Sequence, residues 1–270
     1  MSSNRQDATG SGQVHVTRDG PYGRITFDNP GKMNAMSLAM WTELGQAMDS
    51  FAKDDGVRVV ILRGAGDRAF VSGADISEFE AVRASPEKVR HYNEVSEGAD
   101  RALYRLPKPT IARIHGYCVG GGMGLALACD IRICTPESRF GITAAKLGLG
   151  YGFAGIKKLY DIAGPSVAAE VLFSGRLMSA EEALRMGLVS RVVPAAELDA
   201  AVDELSGRIA GNAPMTIAAA KAAIRACARP AAERDHAALE AMVAACFASE
   251  DYAEGRRAFA EKRPAVFRGR

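Results

Sequence analysis

Gly120-Gly121-Gly122 stands between the run Thr110-Ile111-Ala112-Arg113-Ile114-His115 and the apolar segment from Met123 to Cys129. Three glycines at the start of a helix leave backbone N–H groups uncovered by side chains, at the end where positive partial charge collects, so an anionic oxygen can approach closely. Taken alone, such a triplet serves equally well for close packing of a strand against a helix. A second glycine-containing loop, Ser72-Gly73-Ala74-Asp75-Ile76, also follows a buried strand. Two loops ending neighbouring strands can each offer one N–H to the same oxygen, which is the chemistry of an oxyanion hole.

Those loops must be held by alternating strands and helices. Val14 and Val16, then Ile25 and Phe27, alternate with polar residues on either side of Asp19-Gly20-Pro21, which predicts two strands and a turn. Leu38, Trp41, Leu44, Met48 and Phe51 recur at helical spacing after Ser37, a suitable N-cap, and Val57 to Leu62 reads as a buried strand. Ser85-Pro86 opens a helix carrying Val89, Tyr92, Val95, Ala99 and Leu103, which must stop near Pro107-Lys108-Pro109. A short helix follows the triplet, then strands over Ile131 to Thr135 and Leu188 to Val193. Between them Ser179-Ala180-Glu181-Glu182 forms a capping box and Gly187 a helix stop. From Pro194 onward the pattern is helical and alanine-rich, over Leu198 to Ile209, Thr216 to Ala226, Ala231 to Phe247 and Tyr252 to Phe259. Helices so rich in small residues bury little on their own, so they pack on the core or on another subunit.

Composition excludes several classes. With 270 residues, 48% hydrophobic and 24% charged, the chain can bury a full core, and a net charge of +2 argues against a nucleic-acid scaffold. Met1 to Gly12 is polar, without the apolar centre of a signal peptide, and no later run reaches the length of a membrane span. Cys118, Cys129, Cys134, Cys227 and Cys246 lack paired spacing, so buried reduced thiols in a cytoplasmic protein are expected. His15, His91, His115 and His236 are scattered, and no metal site is implied. Gly64-Ala65-Gly66-Asp67-Arg68-Ala69 matches a dinucleotide-binding pattern in letters, but Phe70-Val71-Ser72-Gly73 does not open the helix that such a site needs. Neither a G-x-S-x-G elbow nor a phosphate-loop lysine is present.

The chain reads Asn29-Pro30-Gly31-Lys32-Met33-Asn34-Ala35, then Phe70 to Ile76, then His115-Gly116-Tyr117-Cys118-Val119 with the triplet, then Ala128-Cys129-Asp130-Ile131 and a late Phe259-Ala260-Glu261-Lys262-Arg263. In order and spacing this resembles the enoyl-CoA hydratase/isomerase, or crotonase, superfamily, from about Val14 to Phe267. The resemblance implies an α/β fold, a ClpP-like crotonase spiral of ββα units over residues 13–195, after a flexible leader over 1–12. A C-terminal helical region over 196–270 would build a homotrimer or a hexamer made of two trimers. It also implies a coenzyme A thioester as substrate, with no other cofactor and no nucleic-acid, membrane or metal partner. By the same resemblance the N–H groups of Ala74 and Gly121 hold the thioester oxygen and the enolate formed there. Lys32, Met33, Ala35, Ser72, Ala74 and Ile76 line coenzyme A, and Phe259 and Lys262 reach it from a neighbouring subunit.

The pattern departs from hydratases at their two glutamates. Gly124 stands at one position and Ala144, after Phe140-Gly141-Ile142-Thr143, at the other. Water addition needs a base for the nucleophile and an acid for the α-carbon, so ordinary hydration is not expected. Tyr151 stands where hydratases have proline and where methylmalonyl-CoA decarboxylase-like members have tyrosine, although that branch has histidine at the position of Ala74. Tyr151 is either a proton donor or a packing residue. Glu78, Glu80, Glu94 and His91 are the other acid–base candidates, and Asp130 reads as structural. Decarboxylation of a malonyl-type thioester and non-catalytic acyl-CoA binding stand as alternatives to hydratase or isomerase chemistry.

Overall fold

The computed structural model describes residues 12–82 and 84–270. The expected leader lies outside the described residues except for Gly12, which is buried. The hairpin β1 (Gln13–Asp19) and β2 (Tyr22–Asp28) is antiparallel, and α1 (Leu38–Lys53) follows with the Ser37 hydroxyl accepting from Met40 N at 3.2 Å. Strands β3 (Val59–Gly64) and β4 (Ala69–Val71) come next, then α2 (Phe79–Val82) and α3 (Pro86–Arg105). The pattern repeats as β5 (Thr110–Ile114), β6 (Tyr117–Val119), α4 (Gly121–Ala128), then β7 (Ile131–Cys134), β8 (Arg139–Gly141) and α5 (Phe153–Ser174). Two-residue strands β9 (Met178–Ser179) and β10 (Arg191–Val192) flank α6 (Ala180–Arg185).

After the first hairpin, which lies wholly in one sheet, each of the next three turns of the spiral lays one strand in each of two sheets before a helix. The large sheet runs β1-β2-β3-β5-β7-β10, parallel beyond the first hairpin, and the small sheet runs β4-β6-β8-β9. This is the ββα spiral that the sequence predicted. Alternation along β3 covers both faces of the large sheet: Val60 and Leu62 enter the main core with Met40 and Leu44, while Val59 and Ile61 pack against Leu198 and Val202. The latter two belong to α7 (Leu198–Ala210), which is followed by α8 (Pro214–Cys227), α9 (His236–Ala248) and α10 (Glu250–Glu261).

Two expected boundaries differ. The strand expected over Leu188 to Val193 shrinks to β10, because Leu188 and Val189 donate to the Ala183 carbonyl and close the end of α6 instead. The helix expected from Ala231 starts at His236: Pro230 leads into a 3-10 turn, and Asp235 caps the helix by accepting from Ala238 N. Among the described residues no helix is long and apolar enough to cross a membrane. Cys118, Cys129 and Cys134 are buried free thiols, as expected, while Cys227 is exposed and Cys246 half-buried. Burial pushes the Cys129 and Cys134 thiols up to about 12, which makes them unreactive at neutral pH.

Candidate active site

Parallel pairing of β4 with β6 brings the two glycine loops side by side. Val71 leads into the first and Val119 into the second. A β-carbon on Gly120 would lie 3.6 Å from Gly73 Cα, and one on Gly121 would lie 3.8 Å from the Gly73 carbonyl carbon. Both glycines that precede the candidate donors have positive φ, 126° at Gly73 and 55° at Gly120, conformations that a side chain resists. Gly122 is required for a different reason: a β-carbon there would fall 2.1 Å from the Val71 carbonyl oxygen, so only glycine lets α4 start against β4.

Each N–H is left free by the way its loop is anchored. Met36 donates to Gly73 O at 2.8 Å and accepts from Asp75 N at 2.9 Å, so Ala74 in this parallel bridge turns its own N–H away from Met36. Gly120 N donates to Gly141 O at 2.8 Å, which leaves Gly121 as the first residue of α4, with an N–H that no turn of helix can satisfy. Among the described residues neither Ala74 N nor Gly121 N has a hydrogen-bond acceptor. Trp41 closes the floor, its Cζ2 3.4 Å from a β-carbon on Gly121 and its Nε1 donating to the Tyr92 hydroxyl at 3.2 Å.

The hole opens into a cavity of about 590 Å³ walled by α3, the start of α4, the start of α5 and the end of α8. Tyr151 sits in its wall. The phenol oxygen is 3.2 Å from the place of a β-carbon on Gly124, and its ring lies 2.6 Å from the place of one on Gly155, so both glycines make room for the ring. Burial, with smaller contributions from Asp100 and Cys118, raises the Tyr151 pKa well above the ordinary tyrosine value, so the phenol keeps its proton. Beside it Lys158, buried, holds Asp100 at 2.5 and 2.6 Å and donates to Gly124 O at 3.3 Å.

The other predicted residues divide. Ser72, Ala74 and Ile76 line the cavity, and the Ser72 hydroxyl donates to Lys32 O at 3.1 Å. Lys32 Nζ reaches Asp75 Oδ2 at 2.7 Å and the Ser77 hydroxyl at 2.6 Å. Burial opposes ionisation of Asp75, but bonds from Lys32 and Ser77 hold its carboxyl below the usual range. Met33 is left-handed at φ 50°, and Ala35 is buried next to Met36. Phe259 and Lys262 lie elsewhere, on α10 and its end, and Phe259, 87% exposed, faces a second cavity of about 880 Å³ with Val243, Phe247 and Phe267.

The acid–base candidates are sorted by packing. Glu78 accepts from Leu38 N at 3.0 Å and caps α1, while Glu94 and His91 do not line the cavity. Asp130 is structural, paired with Lys221 and Arg225 at 2.7 Å each. The carboxylates that line the cavity are Glu97, Asp100 and Asp161. None of the three stood among the expected acid–base residues, although α3 periodicity held the signal for Glu97 and Asp100. With Tyr92, Ala99 and Leu103 buried, Asn93, Ser96, Glu97, Asp100, Arg101 and Tyr104 recur at three- and four-residue steps on the cavity side.

A family model described as enoyl-CoA hydratase/isomerase matches residues 21–270. A carnitinyl-CoA dehydratase of Salmonella typhi is 36% identical over 267 residues, covering 96% of this chain and all of that one. Among solved structures, an enoyl-CoA hydratase/carnithine racemase from Magnetospirillum magneticum is 37% identical with a TM-score of 0.89, covering 95% of this chain and 96% of that one. An enoyl-CoA hydratase from Bacillus anthracis is 32% identical with a TM-score of 0.89, covering 96% of this chain and all of that one.

Proposed function

Because this chain belongs to the enoyl-CoA hydratase/isomerase family, we propose that it is an acyl-CoA-processing enzyme in which Ala74 and Gly121 N–H groups hold a thioester enolate and the Tyr151 phenol delivers the proton to its α-carbon. The observation that carries this reading is the phenol oxygen standing 3.2 Å from where a side chain on Gly124 would begin. Each N–H aimed at the enolate oxygen is worth roughly 3 kcal/mol, about 100- to 1000-fold in rate. Positions 124 and 144 supply no acid or base to a hydration, since Gly124 and Ala144 carry no carboxylate.

Decarboxylation of a malonyl-type thioester suits these groups. The bond from the α-carbon to the carboxylate breaks, its electron pair enters the enolate, carbon dioxide leaves, and Tyr151 O–H delivers its proton to the α-carbon at the position the carboxylate vacated, leaving a phenolate. The phenolate then takes a proton from solvent. The free carboxylate of Glu97 in the same cavity, together with relatives named carnitinyl-CoA dehydratase, favours a second reading, loss of water from a 3-hydroxyacyl-CoA. Coenzyme A thioester is the substrate in both, with no additional cofactor, and Lys32, Met33, Ala35, Ser72 and Ile76 line its nucleotide and pantetheine arm.

A substrate panel separates the readings. Carbon dioxide released from malonyl- or methylmalonyl-CoA supports decarboxylation, and an enoyl absorbance arising from a 3-hydroxyacyl-CoA supports dehydration. Fast hydration of crotonyl-CoA, the same reaction run backwards, would favour the dehydratase reading over decarboxylation. Binding of every thioester with turnover of none would make the chain an acyl-CoA binder. Self-association as a trimer or a pair of trimers belongs to the same proposal, supported by α9, an apolar helix with none of its residues buried in the single chain. In such an assembly Phe259 and Lys262 would reach a neighbour's coenzyme A.

A further inference from the structure

Beyond the hole the cavity follows α3 from Tyr92 to Arg105, roughly 20 Å at about 1.5 Å per residue. Its far wall gathers cationic side chains from three separate elements: Arg101 and Arg105 on α3, Lys157 on α5, and Arg225 and Arg229 at the end of α8. Their charges do not cancel. Lys157 is neutralised by Asp161 at 2.6 Å, and Arg225 shares Asp130 with Lys221 while stacking 3.8 Å from the Tyr104 ring centre. Arg101, Arg105 and Arg229 have no side-chain hydrogen bond or ion pair among the described residues, and Arg225 Nε is buried without an acceptor. The cavity's unpaired carboxylate, Glu97, lies about one turn before Arg101 and about two turns before Arg105 on α3, so it offsets the near arginine and not the far one.

Resting on the acyl-CoA reading above, we infer that the far end of this cavity is an anion subsite for an acyl chain that itself ends in a carboxylate, so that the preferred substrates are coenzyme A monothioesters of dicarboxylic acids. Guanidinium groups bind planar carboxylates through paired charge-assisted hydrogen bonds; Arg101, Arg105 and Arg229 are exposed and Arg225 half-buried, so this pairing forms where water reaches it and weakens as salt rises. A neutral chain of equal length leaves these cations without a partner. A cationic tail is repelled, so the subsite sets this chain apart from an enzyme that takes a quaternary ammonium acyl group.

Calorimetry with the intact protein tests this. A series of dicarboxylic monothioesters, adipoyl-CoA through dodecanedioyl-CoA, is titrated against monocarboxylic thioesters of the same length, with carnitinyl-CoA and free coenzyme A alongside. At the length that spans the cavity, the dicarboxylic ligand binds about 10- to 100-fold more tightly than its monocarboxylic counterpart, and carnitinyl-CoA binds more weakly than both. The double variant Arg105→Gln, Arg229→Gln abolishes that preference and keeps its affinity for free coenzyme A. Equal affinity for the two series in the native protein overturns the subsite alone. Loss of free coenzyme A affinity in the variant overturns it as well, because the arginines would then be holding coenzyme A phosphates. Failure of every thioester to bind overturns the acyl-CoA reading itself.

Discussion

The Tyr151 hydroxyl occupies the space above Gly124, 3.2 Å from where a β-carbon would project, so the residue type at position 124 governs where the phenol stands relative to the oxyanion hole on the same helix. Gly124→Ala introduces a contact tighter than packed side chains usually accept, and the phenol must shift by a few tenths of an ångström. We expect kcat to fall about 10-fold in Gly124→Ala and about 100- to 10,000-fold in Tyr151→Phe, the range that a general acid supplies. In the double variant the Gly124 effect should vanish, because the two act through one group. Steady-state kinetics on the substrate found by the panel measures all three.

The pH profile carries a sign. Burial raises the Tyr151 pKa above its ordinary value of about 10, so the protonated donor persists from neutral pH through that value. Activity that needs the phenol proton should therefore show no alkaline decline before the ordinary tyrosine value is passed. A kcat profile falling with a midpoint near pH 8 would remove Tyr151 from the proton-delivery step.

Gly120 and Gly122 should fail in different ways. Gly120→Ala places a side chain at φ 55°, ψ −116°, where strain costs on the order of 1–3 kcal/mol, and it tilts the Gly121 N–H. Its kcat should fall far more than its melting temperature. Gly122→Ala would drive a methyl group into the Val71 carbonyl and so weaken the β4–α4 junction itself. Thermal unfolding beside kinetics separates a misaimed donor from a damaged fold.

Asp130 compensates two cations at once. Burial lowers the Lys221 pKa and Asp130 opposes that shift, so Asp130→Asn leaves Lys221 and Arg225 without their carboxylate. Removing one partner of a fully buried ion pair costs about 3–5 kcal/mol; Asp130 and Arg225 are half-buried, so a smaller loss is expected, and chemical denaturation should register it. Asp130→Asn should also strengthen the preference for a carboxylate-ended acyl chain, since it leaves Arg225 in the cavity wall without its compensating charge.

Val243, Phe247 and Phe259 are 50%, 63% and 87% exposed around the second cavity. Light scattering should give a mass of three or six times 28.6 kDa for the native chain, and Phe247→Glu should reduce it towards one. A native chain that runs as a monomer would remove the trimer from the proposal.

Much of the framework was legible because it depends on local physics. Ser37, Ser85 and Ser179 cap their helices where sequence reading put them, and period-two and helical spacings located most of the elements. The register between strands was less legible. Tyr117 to Val119, not Thr110 to His115, is the strand that delivers the glycine triplet. Leu188 and Val189, apolar enough for a strand, instead close a helix end, because a backbone donor takes whichever acceptor the tertiary path brings near.

The sequence by itself determined the two glycine loops and the spiral they belong to, since each is a matter of residue type at a position along the chain. Tertiary structure alone decided which groups share the cavity. Tyr151 meets Gly124, Lys158 meets Asp100, and Arg105 and Arg229 line one cavity. These partners lie on separate elements, and the face a helix turns to a cavity depends on which of its other residues the core has already taken.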